Sequence, residues 1–570
     1  MSSPHWAPPV ARAARRLGAV VTAVALTAGA VVMLAAPAET AARTYYVNSC
    51  QGSGKDTASG TSSNHPWKSL DKVNATTFKP GDRILFRKGC TWEGQLWPKG
   101  SGTASAPITI GSYAGADNSP LKPAIQGGGE VADAVKLHNQ EYWEIRDLDV
   151  SNEAPATDTP GENLAELRGI HISGDNSQTL DHFVVDGVDV HDVTGEDNWI
   201  SGDPESGTEP GINFGTGWDG SKRTGGIVFD TTVPDVTAPP ATATVLNDIT
   251  VSDSTIVNTS FGGIIVKQYT GDGPDAVATG WGTRTSATDT KFTPHTDVTV
   301  RGNYISQAGT DYGCNGIYLT DVRDGQIDHN VVAHAGTSGI ETYYSDRITI
   351  EHNEVYGTKR KAGGADHNAI DPDRGTTNVL VQYNYMHDNG DGILFCQFGF
   401  GSVTARYNII VNSSRYAMYL HSNTKATAQI HNNTVYNDNG SKYLVYGFGS
   451  YLKGTYTLRN NAFYSTTDGA VLSSSDTITY DTNYYGGADL PVPAGDTNAV
   501  TGDAKFADPD VSGPYGDVTS GPRLSTALGY RPLARSALID NGLAITDNGG
   551  VDYRGAALYD EEPDIGAVEY

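Results

Sequence analysis

Through the middle of the chain, apolar and polar residues alternate in short runs, and no run keeps the 3.6-residue period of a helix. Two kinds of run take turns. One is an alternating strand closed by Asn: "VTVRGNYI", "GQIDHNVV", "ITIEHNEV", "VLVQYNYM", "VTARYNII", "AQIHNNTV" and "YTLRNNAF". Its asparagines stand at 303, 330, 353, 384, 408, 433 and 461, in steps of 27, 23, 31, 24, 25 and 28. The other is a shorter strand, usually opened by Gly-Ile: "GGIIVKQY", "NGIYLTDV", "SGIETYYS", "NAIDPDRG", "DGILFCQF" and "YAMYLHSN". A repeat of this length, built of short strands, predicts a parallel β-solenoid. One turn cannot bury its apolar face alone, so turns stack and bury it jointly. The repeated Asn then falls in register at a bend, where its amide can bond from turn to turn. That role is structural.

Earlier turns are visible in "YWEIRDLDVSN", "HFVVDGVDVHD" and "NDITVSDSTIVN", which places the solenoid at residues 105–465. Residues 43–104, with a short helix and strand in "HPWKSLDKVNATTFKPGDRILF", are expected to cap its open end. Residues 466–570 are expected to supply the final turns and a closing segment. Two stretches rich in Pro, Gly, Thr and Asp, 194–247 and 270–296, interrupt the rhythm. They are expected to wall a groove, with Trp218, Tyr269 and Trp281 facing sugar.

Residues 1–42 read as a secretory signal, with Arg12, Arg15 and Arg16 before the apolar run "LGAVVTAVALTAGAVVMLAA" and small residues after it. The alternative is a single membrane anchor, since the run approaches spanning length. Small residues rather than a basic stop follow it, so cleavage is expected, with no membrane association afterwards and an extracellular destination. The whole chain holds 39 basic and 66 acidic residues. Removing residues 1–42 takes three Arg and one Glu, leaving 36 against 65. A surface this acidic repels nucleic acid, and repels polyanionic sugars unless a cation or a local basic patch intervenes. Of four cysteines, Cys50 and Cys90 are expected to pair, while Cys314 and Cys396 stand three turns apart and are not.

The Asn-ended strands, the Gly-Ile strands and the leader resemble the secreted right-handed parallel β-helix proteins of the pectate-lyase-like superfamily, over about residues 45–570. The resemblance implies an all-β, right-handed parallel β-helix acting on carbohydrate. That superfamily contains polysaccharide lyases, glycoside hydrolases, sugar epimerases and non-catalytic adhesins, and fold alone does not choose among them. "AIDPDRG" followed by "HDNGDG" is similar to the Asp-Pro-His segment of mannuronan C5-epimerases. Asp371 and Pro372 match, but Asp373 and Asn368 stand where that family has its acting His and Tyr.

Side chains alternate along a strand, so the Gly-Ile strands split into two faces. With Ile264, Ile317, Ile340, Ile370, Ile393 and Met418 inside, one outward column reads Ile265, Tyr318, Glu341, Asp371, Leu394, Tyr419. The next reads Lys267, Thr320, Tyr343, Asp373, Cys396, His421. Glu341 and Asp371 become direct neighbours about 4.8 Å apart in strand spacing, with Asp373 diagonal to Glu341. Like charges opposite one another destabilise a sheet, so this cluster needs a proton, a cation or Arg374. The plain reading is a solvated acidic face. The functional reading is a catalytic set of Glu341, Asp371, Asp373 and Arg374, in which paired carboxyls divide into acid and base. Lys267, Tyr318, Tyr343, Tyr344, Tyr419 and His421 would then bind the polysaccharide.

Hydrolysis of glycosidic bonds is preferred, needs no cofactor, and would be carried out by a monomer. The first alternative is a lyase on a uronic-acid polymer, with Glu341, Asp371 and Asp373 holding Ca²⁺ and Lys267 or Arg374 as base. The second is a binding or adhesin solenoid without chemistry. His367 and His387 fall at bends and read as structural, while Asp321 and Arg323 either reach the groove or pair with each other.

Overall fold

The computed structural model describes residues 41–50, 52–155, 165–195, 200–201, 211–212, 223–271, 275–310, 315–361, 364, 366–423, 425–558 and 562–570. The leader, Trp218, Cys314 and parts of the stretch 194–247 lie outside the described residues. The chain winds as a right-handed parallel β-helix. Its described strands stack into three long parallel sheets of 14, 13 and 11 strands. Each turn contributes one strand to each sheet, and the aliphatic side chains facing inward form one continuous core from Val47 to Tyr485.

The bend after each strand of the 14-stranded sheet has a repeated local cause. The residue before each ladder Asn is left-handed: Gly302, His329, His352, Tyr383, Tyr407, Asn432 and Asn460 have φ between 50° and 65°. That conformation turns the chain sharply and aims the next side chain inward, where Asn can satisfy the backbone groups the turn frees. The expected ladder is present. Asn303, Asn330, Asn353, Asn384, Asn408, Asn433 and Asn461 each donate Nδ2–H to the Oδ1 of the next at 2.9–3.0 Å. It runs on to Asn483 and ends on Asp496, whose Oδ2 accepts from Asn483 at 3.1 Å.

Two of the long stacks begin ahead of residue 105. Thr44–Val47 pairs with Arg83–Arg87, which pairs with Ile108–Tyr113, so residues 43–104 already supply strands. The short helix Leu70–Asn74 is there, started by Ser69, whose hydroxyl accepts the Lys72 N–H. Cys50 and Cys90 form a disulfide, and Cys396 is a free, buried thiol. Past Tyr484–Gly487 the chain folds back along the 13-stranded sheet. Buried Glu354 pins it there, accepting the N–H groups of Gly516 at 3.0 Å and Arg523 at 2.5 Å. His387 joins this anchor through Nε2, 3.2 Å from Glu354, and stacks on Tyr515, which accounts for its structural role.

Candidate functional site

The 11-stranded sheet carries the site. Its strands are β1 Asp133–His138, β2 Arg168–Gly174, β3 Gly225–Thr231, β4 Gly262–Lys267, β5 Asn315–Thr320, β6 Ile340–Tyr343, β7 Asn368–Pro372, β8 Asp391–Phe395, β9 Tyr416–Ser422, β10 Tyr443–Leu452 and β11 Val471–Leu472. The inward column pairs as expected: Ile264 with Ile317, then Ile340, Ile370, Ile393 and Met418. Glu341 is therefore the direct neighbour of Asp371, and Tyr318 of Glu341. The second column also holds: the Asp373 carboxylate accepts from the Cys396 thiol, and Cys396 Sγ lies 3.7 Å from His421 Nδ1.

The outward face is not open. Tyr318 is fully buried, and Tyr343, Tyr344 and Tyr419 are between 7% and 8% exposed. Tyr318 packs with Val228, Ile265, Tyr343 and Tyr344 in an apolar layer of its own. These rings support the site rather than present their faces to a sugar. Neighbouring side chains on the same face bury them, and alternation gives a side chain's direction but not its burial. The stretch 270–296 is fastened to the turns after β6 and β7 by Arg284, which donates to the Ser345 and Gly375 carbonyls and to Thr377 Oγ1 at 2.8–3.0 Å. Tyr269 and Trp281 are buried against Val233 and Ala243 and do not supply the sugar-facing surface expected of them. Lys267 stands beside Asp230, three strands and about 14 Å from Asp373, too far to serve the carboxylates as base.

Four carboxylates converge on this face. Glu341 is buried and accepts Asn315 Nδ2–H at 2.6 Å. Asp371 is buried and accepts from Asn368 Nδ2 at 3.1 Å and Ser338 Oγ at 3.3 Å, all on Oδ2. Its Oδ1 has no hydrogen-bond partner among the described residues. Burial, then Asp373 and Glu341, push the Asp371 carboxyl well above the usual carboxylate range, which favours its protonated form. Asp373 is 9% exposed, with Oδ1 accepting the Arg374 N–H at 2.5 Å. Burial and Glu341 raise it well above the usual range as well, despite the Cys396 thiol and that N–H, which act the other way. The Arg374 guanidinium sits over the Tyr344 ring at 5.7 Å rather than on a carboxylate.

The fourth carboxylate, Asp366, is absent from the sequence-based set because it precedes β7 on a loop, outside the strand alternation. It is half-buried, and its carboxyl is raised to about 7 by burial and by Asp391 and Glu341, against Arg415. Asp391 itself is neutralised by Arg415, with Nε at 2.8 Å and Nη2 closer still. Arg415 lies over Tyr416 at 4.6 Å, and Tyr416 stacks on Tyr446 at 4.0 Å. Beyond them Tyr443, Phe448 and Tyr451 are exposed. Carrying the outward column one turn further, through "YLVYGFGSYL", would have found this aromatic surface, since Tyr419 pairs with Tyr446. His421 is packed among Tyr419, Phe398 and Phe448 and is lowered to about 4 by burial, so it is neutral. Asp321 and Arg323 lie apart from the cluster, with Arg323 3.4 Å from Asp346. Among the described residues, no three His, Cys, Asp or Glu side chains are grouped as metal ligands.

The fold and the sheet-borne site place the chain among right-handed β-helix proteins, and the family model described as "Right handed beta helix region" matches residues 242–371 and 292–463. More particularly, the chain is 27% identical over 635 residues to lacto-N-biosidase of Bifidobacterium longum subsp. longum. That match covers 92% of this chain but 36% of the relative, so the chain spans about a third of that protein's length. The crystal structure of GH136 lacto-N-biosidase from Eubacterium ramulus superposes with a TM-score of 0.54 at 20% identity, covering 73% of this chain and 67% of that one. At that identity the likeness is one of fold.

Proposed function

We propose that the protein is a glycoside hydrolase acting on a polysaccharide or oligosaccharide, and that lacto-N-biosides are the first substrates to test. The observation that carries this reading is the convergence of Asp366, Glu341, Asp371 and Asp373 in one largely buried cluster on the sheet. The 27% identity to a lacto-N-biosidase across most of the chain supports it. Asp366 is the proton donor: it remains partly accessible, and a value of about 7 keeps it about half protonated near neutral pH while leaving it able to give the proton up. Asp373 is the second acting carboxyl, which in its deprotonated form attacks the anomeric carbon or activates water there. It is more exposed than Glu341 or Asp371, and a backbone N–H is held on it. Asp371 favours its protonated form and Glu341 is fixed by Asn315, so both shape the charge behind Asp373. Tyr416, Tyr446, Phe448 and Tyr451 form the platform for the sugar.

Export is part of the proposal. The Cys50–Cys90 disulfide supports an oxidising compartment, and no helix of the described residues is long and apolar enough to cross a membrane. The test is release of p-nitrophenol from a p-nitrophenyl lacto-N-bioside, alongside reducing-end release from a glycan panel. Asp373→Asn should abolish turnover. Full activity in Asp366→Asn and Asp373→Asn together would overturn the assignment.

A further inference from the structure

Cys396 stands between the carboxylate cluster and the aromatic platform, and the hydrolytic scheme gives it no task. The pairing of Ile370 with Ile393 and of Phe395 with Leu420 carries Asp373, Cys396 and His421 into one row across three neighbouring turns. The Asp373 N–H still donates to the Thr342 carbonyl at 2.9 Å, so Asp373 keeps strand register past the end of β7. On one side of this row the Cys396 thiol reaches the Asp373 carboxylate. On the other, Sγ lies 3.7 Å from His421 Nδ1. The thiol is 6% exposed and packs with Leu394 and Tyr419 against Phe398, Tyr416 and Tyr446.

The chemistry of the row fixes its direction. Burial and the carboxylates of Asp373, Asp371 and Asp366 push the thiol well above its usual range, so it stays S–H. It has one proton to give, and a carboxylate is a stronger acceptor than a neutral imidazole. The S–H therefore points at Asp373, and the neutral His421 carries its proton on Nδ1 and donates it to Sγ. Three further carboxyl groups face Asp373: Glu341 from β6, Asp371 from its own strand and Asp366 from the loop before it. All three oppose its ionisation, and the Arg374 guanidinium, next in the chain, is turned over Tyr344. We propose that Cys396 is a positioning residue for Asp373, whose S–H holds the carboxylate in place and favours its deprotonated form. This inference rests on the reading of Asp373 as an acting carboxyl.

The experiment compares Cys396→Ala with Cys396→Ser in the full chain, by kcat and KM across pH on the p-nitrophenyl lacto-N-bioside. Loss of a donor to a buried carboxylate should lower kcat about tenfold in Cys396→Ala, with KM within about twofold. The same loss raises the Asp373 carboxyl, so the acid limb of kcat/KM should move up by about half a pH unit or more. Cys396→Ser keeps a donor and should recover most of kcat and the parent's acid limb. The infrared S–H stretching band of Cys396, isolated as the difference between the parent and Cys396→Ser, reads the contact without turnover. It should move to lower wavenumber as rising pH ionises Asp373, and this movement should vanish in Asp373→Asn. A Cys396→Ala chain with the parent's kcat and acid limb, or a Cys396→Ser chain no better than Cys396→Ala, would overturn the positioning role while Asp373→Asn remained inactive. A band indifferent both to pH and to Asp373→Asn would overturn the contact itself. Full activity in Asp373→Asn would instead remove the reading of Asp373 on which the role depends.

Discussion

Replacing Asp366 with Asn tests both the acid assignment and the electrostatics behind it. Folding moves this carboxyl from 3.8 to about 7. The folded chain therefore binds that proton more tightly than the unfolded chain. The resulting stability is fully present below pH ~4 and is lost as pH rises through about 7. A rise of this size corresponds to roughly 4 kcal/mol, an upper bound because the carboxyl keeps some solvent contact. Asparagine does not titrate. Asp366→Asn should thus gain stability relative to the parent between pH 4 and pH 8, by roughly 2–4 kcal/mol, visible as a few degrees in melting midpoint. In the same variant kcat on a glycoside with an unactivated leaving group should fall by about 10²–10⁴, and far less with p-nitrophenol, which leaves without protonation. The alkaline limb of kcat/KM near pH 7 should disappear with it. An unchanged rate on the unactivated glycoside, or a stability difference that is the same at pH 4 and pH 8, would refute the reasoning.

Glu354→Ala should unpin the C-terminal segment, because it strands the buried N–H of Gly516, takes the acceptor from the Arg523 N–H and removes the partner of His387. A loss of roughly 3–5 kcal/mol and faster limited proteolysis near residue 516 are expected, and unchanged protease resistance would count against the anchor. Asn353→Ala removes one rung of the ladder, including its acceptors on the Ile327 and Glu351 carbonyls. It should cost roughly 3 kcal/mol in thermal or denaturant unfolding, and a cost under about 1 kcal/mol would deny the ladder its structural weight. Dialysis against a chelator should leave hydrolysis within about twofold on the proposed mechanism, since no step uses a metal. Restoration of lost activity by Ca²⁺, with unsaturated products, would favour the lyase alternative instead.

Much of the fold was legible because its determinants are local and repeated. The period of two placed Ile264, Ile317, Ile340, Ile370 and Ile393 on one face, and stacking at constant strand spacing then made Glu341 and Asp371 neighbours without further information. The asparagines could be assigned to a ladder for the same reason, since each bend repeats one left-handed residue followed by one inward amide. The environment of the site was not legible in that way. Alternation says which way Tyr318 points, but only the side chains packed around it decide that it is buried rather than offered to a ligand. Arg284 reaches Gly375 across 91 residues, and no short-range pattern encodes such a contact. Asp366 belongs to a loop with no strand period, and it joins Glu341 only when the turns are stacked and water is displaced around it. Sequence periodicity thus determined the winding and the register, which depend on neighbours a turn apart. Tertiary structure decided burial, and burial sets which carboxyl keeps its proton, because desolvation acts through everything that surrounds a group and not through its position in the repeat.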